Sequence, residues 1–330
     1  MNLGVRQRAD WIPLALTAAV ALAALALIGN PSTWVTLTVA GLAMGLLIFI
    51  MSSGLTLVFG LMDVMNFAHG LFIAIGAYVA ASTIKVFSAA AGADSFLANL
   101  GAVLPAMLAA VVVAGLLGLF FERVIIRPVY GQHLKQILIT TGGMIVAEQL
   151  IHVFWGPDLL PLPRPSTLRG SFLIGDMAIE KYRLIAVVIG LAVFAGMLLL
   201  LNRTKIGLLI RAGVENKEMV EAMGYRIRRL FVGVFVAGSA LAGLGGALWG
   251  MYQESVTVHI GASMMVLIFI VIIIGGLGSV GGCFVGALLV GLVANYVGYL
   301  SPKIALGSNI LLMVAILLWR PQGLYPVSKS

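Results

Sequence analysis

Four stretches of the chain carry residue types that could do chemistry. LMDVMNFAHG, ending at Gly70, holds Asp63, Asn66 and His69, and positions 66 and 69 would be neighbours at i, i+3 on a helix. A second apolar stretch holds Thr140, Thr141, Glu148, Gln149 and His152, with Glu148 and His152 at the i, i+4 spacing of one helix face. RTKIGLLIRAGVENKEMVEAMGYRIRR, residues 203–229, gathers seven of the twenty basic residues and three of the twelve acids. Finally, Gly276-Leu277-Gly278-Ser279-Val280-Gly281 has the GxGxxG spacing and follows the strand-like run Val271 to Ile274.

Catalysis finds little support in these groups. A dinucleotide site built on GxGxxG needs an acidic residue about 20 positions further on to hold the ribose. No Asp or Glu follows Glu254, so the motif reads as a tight turn. Gly-Lys-Ser/Thr does not occur, which removes the phosphate-cradling P-loop and ATP hydrolysis by that route. HExxH and a serine elbow are missing too. The chain is expected not to be an enzyme, to bind no metal and to hold no cofactor of its own. The single cysteine, Cys283, allows no intramolecular disulfide or cysteine metal site, and reads as a small buried hydrophobe.

The elements that must position these residues follow from composition. The chain is 61% hydrophobic and 10% charged, with a mean hydropathy of +1.11. A soluble globule typically carries about 25% charged residues, so the solvent here is lipid. The 330 residues suffice for roughly ten helices of about 20 residues and leave no room for a soluble catalytic domain. Apolar windows between polar or Pro/Gly punctuation fall near 11–29, 34–60, 66–88, 100–121, 134–155, 183–201, 230–251, 261–280, 282–300 and 304–319. The expected fold is an all-α, polytopic transmembrane bundle of about 8 to 10 spans, forming one domain over 1–330. The second window is long enough to break near Ser52-Ser53-Gly54, and the glycines around 261–300 would permit a re-entrant segment.

With the N-terminus inside, fourteen basic residues fall inside, including Arg6, Arg8, Arg123, Arg127, Lys135, Arg320 and Lys329, and six outside. That is the asymmetry of the positive-inside rule. All five tryptophans, Trp11, Trp34, Trp155, Trp249 and Trp319, sit near the ends of windows, as expected of amphipathic rings at headgroups. Arg6 and Arg8 before an apolar run with Ala24-Leu25-Ala26 have the form of a signal peptide. Gly29-Asn30-Pro31, an ordinary turn into another span, favours a retained helix instead. The proline-rich segment 156–182 is the largest outside loop, and glycines along 233–250 and 281–291 predict close helix packing. The net charge of +8 has no basic, aromatic-interleaved soluble module around it, so nucleic acid is not an expected partner.

Polar groups inside spans are costly. Asn66, His69, Thr141 and Glu148 either line a translocation path or make hydrogen bonds between packed helices, and Asp63 and His152 could equally be interfacial. Within 203–229, a helical wheel from Ala212 to Met223 puts Ala212, Met219, Val220, Ala222 and Met223 on one side, and Lys217, Glu218 and Glu221 on the other. Gly213 and Gly224 bracket a single short amphipathic helix. It either lies on the anionic inner leaflet, with membrane lipid as its partner, or docks into a groove on a cytosolic partner.

Five blocks in order carry a resemblance: SGLTLVFGLMDVMNFAHGLFIAIGAYVA at 53–80, RTKIGLLIRAGVENKEMVEAMG at 203–224, AGLGGAL at 242–248, IIIGGLGSVGGCFVGALLVG at 272–291 and WRPQGLYP at 319–326. Together, over about 34 to 326, they closely resemble the permease subunits of branched-chain amino acid ABC importers. The resemblance implies a multi-pass protein of the bacterial inner membrane, paired with a homologous second permease, favoured as a different chain. Two cytosolic ATPase subunits would hold the ATP, and a periplasmic substrate-binding protein would deliver the amino acid. It further implies that Arg211, Ala212, Gly213, Glu215, Asn216, Met219, Val220, Ala222, Met223 and Gly224 form the coupling segment that fits a cleft on an ATPase. The first window, 11–29, looks additional to the core of the family. Sister groups resemble carriers of urea, short amides or aromatic acids, which leaves the substrate open. An ion-coupled transporter with Glu148 and His69 as a proton relay is the reading outside the family.

Overall fold

A computed structural model describes residues 11–325, apart from the side chains of Val214, Glu215, Lys217 and Leu306. Arg6, Arg8 and Lys329 lie outside the described residues. Each of the ten apolar windows becomes a helix, as it must where no water is present to satisfy backbone N–H and C=O groups. In chain order these are α1 (Ile12–Ile28), α2 (Pro31–Met62), α3 (His69–Val86), a short α4 (Ser88–Gly92), α5 (Phe96–Phe121), α6 (His133–Trp155) and α7 (Lys181–Arg203). Two pieces of the charged island follow as α8 (Lys205–Glu215) and α9 (Lys217–Ala222). The chain then continues as α10 (Ile227–Gln253), α11 (Ile260–Gly275), α12 (Val280–Leu300) and α13 (Pro302–Trp319).

Among the described residues, seven helices are long and apolar enough to cross a bilayer: α2, α3, α5 with its extension to Val129, α6, α7, α10 and α12. Three shorter apolar helices, α1, α11 and Gly307–Trp319 of α13, account for the other windows. α1 packs beside α12, where Ala24, Leu292 and Tyr296 form a small separate core, and Trp34 Nε1 donates to Ala21 O at 2.8 Å. The Gly29-Asn30-Pro31 turn is built as expected. Gly29 is left-handed at φ 69°, Asn30 Oδ1 accepts from Ser32 N at 2.9 Å and Thr33 N at 3.2 Å, and Pro31 opens α2.

The expected break in α2 does not occur. Ser52 Oγ donates to Ile48 O at 2.8 Å, Ser53 Oγ to Ile50 O at 2.9 Å and Thr56 Oγ1 to Ser52 O at 2.8 Å. The hydroxyls satisfy themselves on their own helix, and Gly54 serves contact with a neighbour. A Cβ on Gly54 would stand 2.7 Å from Gly238 Cα, and one on Gly238 2.9 Å from Gly54 O. α10 meets α3 in the same way, at Gly243 against Gly76 and Gly246 against Ile73. α12 meets α2 at Gly41, Gly45 and Gly291. Of the glycines counted along α10, Gly233 alone faces open space. Cys283 is buried as expected, 3.0 Å from Ser52 Oγ. Trp249 departs from expectation: it is 4% exposed and stacks on Tyr252 inside the bundle. Near the end of a helix, a ring can face the core as readily as the headgroups.

The segment 156–182 is ordered by pairings that hydropathy does not report. Strand β1 (Leu160–Pro161) pairs antiparallel with β4 (Ser255–Val256), just past α10. β2 (Ser171–Ile174) and β3 (Met177–Glu180) form a hairpin, closed by Gly175-Asp176 with glycine at φ 60°, where a two-residue turn needs a positive angle. Arg164 ties both to the bundle. Its guanidinium donates to Tyr252 O at 2.7 Å, Met251 O at 3.0 Å and Glu180 Oε2 at 2.9 Å, approaches Glu254 Oε1 at 3.2 Å and lies over the Tyr182 ring at 5.0 Å.

Three outcomes are expected from this packing. Gly54→Ala forces α2 away from α10 and is expected to cost about 1–3 kcal/mol, read as a lower thermal midpoint in detergent. Gly101→Ala, where a Cβ meets nothing within 4 Å, is expected to leave the midpoint unchanged or slightly raised. Arg164→Ala leaves the Met251 and Tyr252 carbonyls without their donor, while Glu180 keeps Arg183 at 2.8 Å, and is expected to cost about 1–3 kcal/mol, with faster proteolysis confined to 156–182 as the readout.

Candidate functional site

Two regions gather the polar residues, one at the end of the bundle that carries the island (the basic end) and one part way along it. The second begins where α2 stops. Asp63 caps α2 in the left-handed region at φ 54°, 3.9 Å from His133, and residues 63–66 are non-helical. Asn66 is therefore not a helical neighbour of His69, contrary to the i, i+3 expectation. Its Oδ1 accepts from Ala68 N at 3.1 Å, and His69 opens α3. Both side chains are 1% exposed. His69 Nε2 bonds Met51 O at 2.9 Å, although Met51 lies about 16 Å of helix rise before the end of α2. The segment after α2 thus climbs back into the bundle, and Thr140 on α6 receives the Phe67 N–H at 3.2 Å. Irregular backbone at such depth is tolerated where protein or a cavity surrounds it.

α11 starts at the same depth. A Cβ on Gly70 would stand 2.8 Å from the carbonyl carbon of Gly261, and Met144 of α6 packs on Gly261. The N-terminal ends of α3 and α11 therefore abut inside the bundle. From there α3 runs to the Arg164 end, where Ser82 Oγ accepts from Trp155 Nε1 at 2.8 Å, and α11 runs to the basic end. Its 16 residues rise only about 24 Å, which explains the shortfall from a full span. Beside this junction Glu148 is largely buried, 3.9 Å from His259 Nδ1, and the His152 and His259 rings are 6.2 Å apart. Thr141 is exposed on α6. His69 and Glu148, paired above as a possible relay, each contact other groups. His259 escaped the sequence reading; its only signal was a polar residue directly before a long apolar run.

At the basic end the island is two helices, not one. Thr204 Oγ1 accepts from Gly207 N at 3.1 Å to start α8. Asn216 leaves the helical region at φ −152°, and its Oδ1 accepts from Met219 N at 2.9 Å to start α9. A wheel drawn across 212–223 therefore mixes two axes. Gly213 does not bracket a helix; it is buried inside α8 against Leu61 and Ile227. Gly224, at φ 85°, does end α9. Val220 packs inward at 3% exposure, whereas Met219 and Met223 are 61% and 68% exposed; Ala222 is exposed with them, and Ala212 is half-buried. Arg211 donates to Asn202 Oδ1 at 3.1 Å. The side chain of Glu215 lies outside the described atoms.

Next to α9, a cleft of about 590 Å³ is lined by Arg123, Arg127, Tyr130, Glu221, Arg228 and Phe231. Behind it, in a π-helical turn over Glu122–Ile126, Glu122 is fully buried and accepts from Tyr130 Oη at 2.7 Å. Burial, and then that bond to Glu122, push the Tyr130 phenol well above its ordinary range. The GxGxxG stretch is the turn from α11 to α12, with Gly276 and Gly278 at φ 99° and 82°. The WRPQGLYP block folds under it: Leu324 N donates to Ile274 O at 2.8 Å and Tyr325 N to Gly275 O at 3.0 Å, closing the orphan carbonyls of α11.

These features define an all-α, multi-pass membrane protein with an exposed apolar element at its basic end. Residues 37–318 match the family described as branched-chain amino acid transport system / permease component, and the chain belongs to that family, one of transport permeases of the inner membrane. α1 precedes the matched region. BraD of Pseudomonas aeruginosa, a high-affinity branched-chain amino acid transport system permease protein, is 30% identical over 87% of this chain and 94% of its own length. LivH of Escherichia coli K12, described likewise, is 28% identical over 86% and 92%. A probable branched-chain amino acid transport permease protein, LivM of Methanocaldococcus jannaschii, is 24% identical over 85% and 90%. No solved structure matches the chain.

Asn216→Ala removes the cap that separates α8 from α9, at a cost of about 1 kcal/mol. Faster amide exchange across 217–222, with α10 unchanged, is the expected reading.

Proposed function

We propose that this chain is the transmembrane permease of an ATP-driven importer, carrying branched-chain amino acids inward with energy from separate subunits. The observation that carries the proposal is the exposed apolar surface of α9: Met219 and Met223 project from a helix seated on the basic end, in a family of transport permeases. An apolar face of this kind is what a groove on a partner accepts. In this reading the island is cytoplasmic and 156–182 is periplasmic, which agrees with the positive-inside asymmetry.

Two cytosolic ATPases bind the ATP, and α9 docks on one of them. A second, homologous permease stands beside this chain; relatives of two kinds, LivH and LivM, support a different chain in that place. A periplasmic binding protein presents the amino acid at the Arg164 end. The path follows the side of α6 where α3 and α11 begin, with Thr141 and Glu148 along it and Asn66 and His69 fixing the irregular backbone behind. Alternating access then is a population shift between outward-open and inward-open arrangements, driven by contacts that differ between the two states.

Met219→Asp combined with Met223→Asp is expected to abolish copurification of the ATPases and lower leucine uptake by about tenfold or more, with the membrane level of the chain unchanged. Normal uptake by this variant, or leucine transport by the purified chain without an ATPase, would refute the proposal.

A further inference from the structure

Glu148 is a carboxylate without an adequate partner. Its side chain is 16% exposed, and Oε1 is buried without a hydrogen bond. His259 Nδ1, at 3.9 Å, is beyond hydrogen-bond range. Glu148 sits seven residues before Trp155 on α6, about 10 Å of helix rise from that end. An acidic side chain at such depth is expensive against lipid and belongs on a face lined by protein or water. The same face carries His259, 75% exposed, and His152 one turn along from Glu148, its ring 6.2 Å from that of His259.

Three features narrow what this cluster can hold. Among the described residues no group of three His, Cys, Asp or Glu could hold a metal ion. The described ion pairs give Glu148 an imidazole and no Lys or Arg, so its charge is not already neutralised by a permanent cation. The carboxylate also offers acceptors only, and a buried acceptor lacking a donor costs free energy that a ligand can recover. A primary ammonium supplies both the positive charge and three N–H donors. The two imidazoles beside it can donate to an anionic group a few ångströms away, which suits the opposite pole of a zwitterion.

We infer that Glu148, flanked by His152 and His259, is the subsite where the ammonium group of a zwitterionic amino acid is held on its way through the permease. The inference rests on the importer reading above. It assigns positions 152 and 259 a binding role and gives Glu148 a specific contact.

The test uses the complete importer in proteoliposomes: both permeases, the ATPases and the binding protein. A diazirine analogue of leucine that keeps its ammonium group is the photolabel, and leucine uptake and ATP hydrolysis are measured in parallel. In the unaltered importer the label is expected on α6 or α11, displaced by leucine and not by 2-hydroxy-4-methylpentanoate, which lacks the amine. Glu148→Gln, which keeps shape and removes charge, is expected to lose labelling and about tenfold or more of leucine uptake, as loss of a charged hydrogen bond predicts, while ATP hydrolysis persists. Glu148→Asp, which keeps the charge, is expected to retain labelling. Equal impairment of Gln and Asp, or normal uptake and labelling with Gln, overturns the ammonium subsite and leaves the importer intact. Absence of leucine uptake in the unaltered importer overturns the importer reading itself.

Discussion

The structure depends on direct backbone contact between helices at glycine. In lipid, apolar side chains gain nothing by leaving the solvent, so helices associate through van der Waals contact and polar contacts between them. Here that contact is made where side chains are missing: Gly54 on Gly238, Gly76 on Gly243, Gly70 on Gly261 and Gly275 on Gly282. Each pairing fixes the relative height of two helices as well as their separation, because a shift along the axis drives a carbonyl into a neighbouring side chain. α2, α3, α10 and α12 therefore behave as one solid, and the remaining elements are positioned relative to it.

That constraint sets the depth of the two interrupted helices. Once Gly70 is locked to Gly261, α3 and α11 must both begin inside the bundle, and the chain before each must lie there without helical hydrogen bonds. Asn66 and Thr140 supply missing partners, to Ala68 N and Phe67 N, and His69 Nε2 ties the start of α3 to Met51 O on α2. These buried polar groups thus serve the irregular backbone, while Glu148 and Thr141 lie on another face of the junction. The sequence offered lining and packing as rival readings of one set of residues; the structure gives Asn66 and His69 packing hydrogen bonds, and lining by Thr141 and Glu148 belongs to the proposal.

Much of the fold was legible because hydropathy reports which solvent a segment meets. All ten windows became helices, and the GxGxxG stretch, lacking the acidic residue that a ribose site needs, became a turn with Gly276 and Gly278 at positive φ. Depth was not legible, since an apolar window has the same composition whether it starts at a surface or in the middle; hence the expected start at 66 and the observed start at His69. Neither was the order in 156–182, which depends on Arg164 reaching carbonyls of Met251 and Tyr252 far along the chain. Trp249 shows the same limit, because position near a helix end does not reveal which side of the helix is covered. The island's division had a local signal, an Asn at 216 in position to cap the N–H of Met219 three residues on, but the wheel across 212–223 averaged it away.

The way the island is rooted bears on how a push at α9 would be felt. Gly207 of α8 rests on the carbonyls of Leu200 and Leu201 at the end of α7, and Gly213 rests on Leu61 near the end of α2 and on Ile227 at the start of α10. Gly60, one residue from Leu61, lies against Gly278 in the turn between α11 and α12, and the strap through Tyr325 lies against Gly276 in that turn. Displacement of α8 therefore meets three long helices directly, α7, α2 and α10, and the turn between α11 and α12 through Gly60. α2 among these runs unbroken for 32 residues, with its serines bonded to its own carbonyls and its glycines in contact with α10 and α12. In the proposed importer this makes α9 a handle on a rigid body, so the stroke tilts the bundle as a unit against its partner permease. The face beside Glu148 then opens or closes without any helix having to bend.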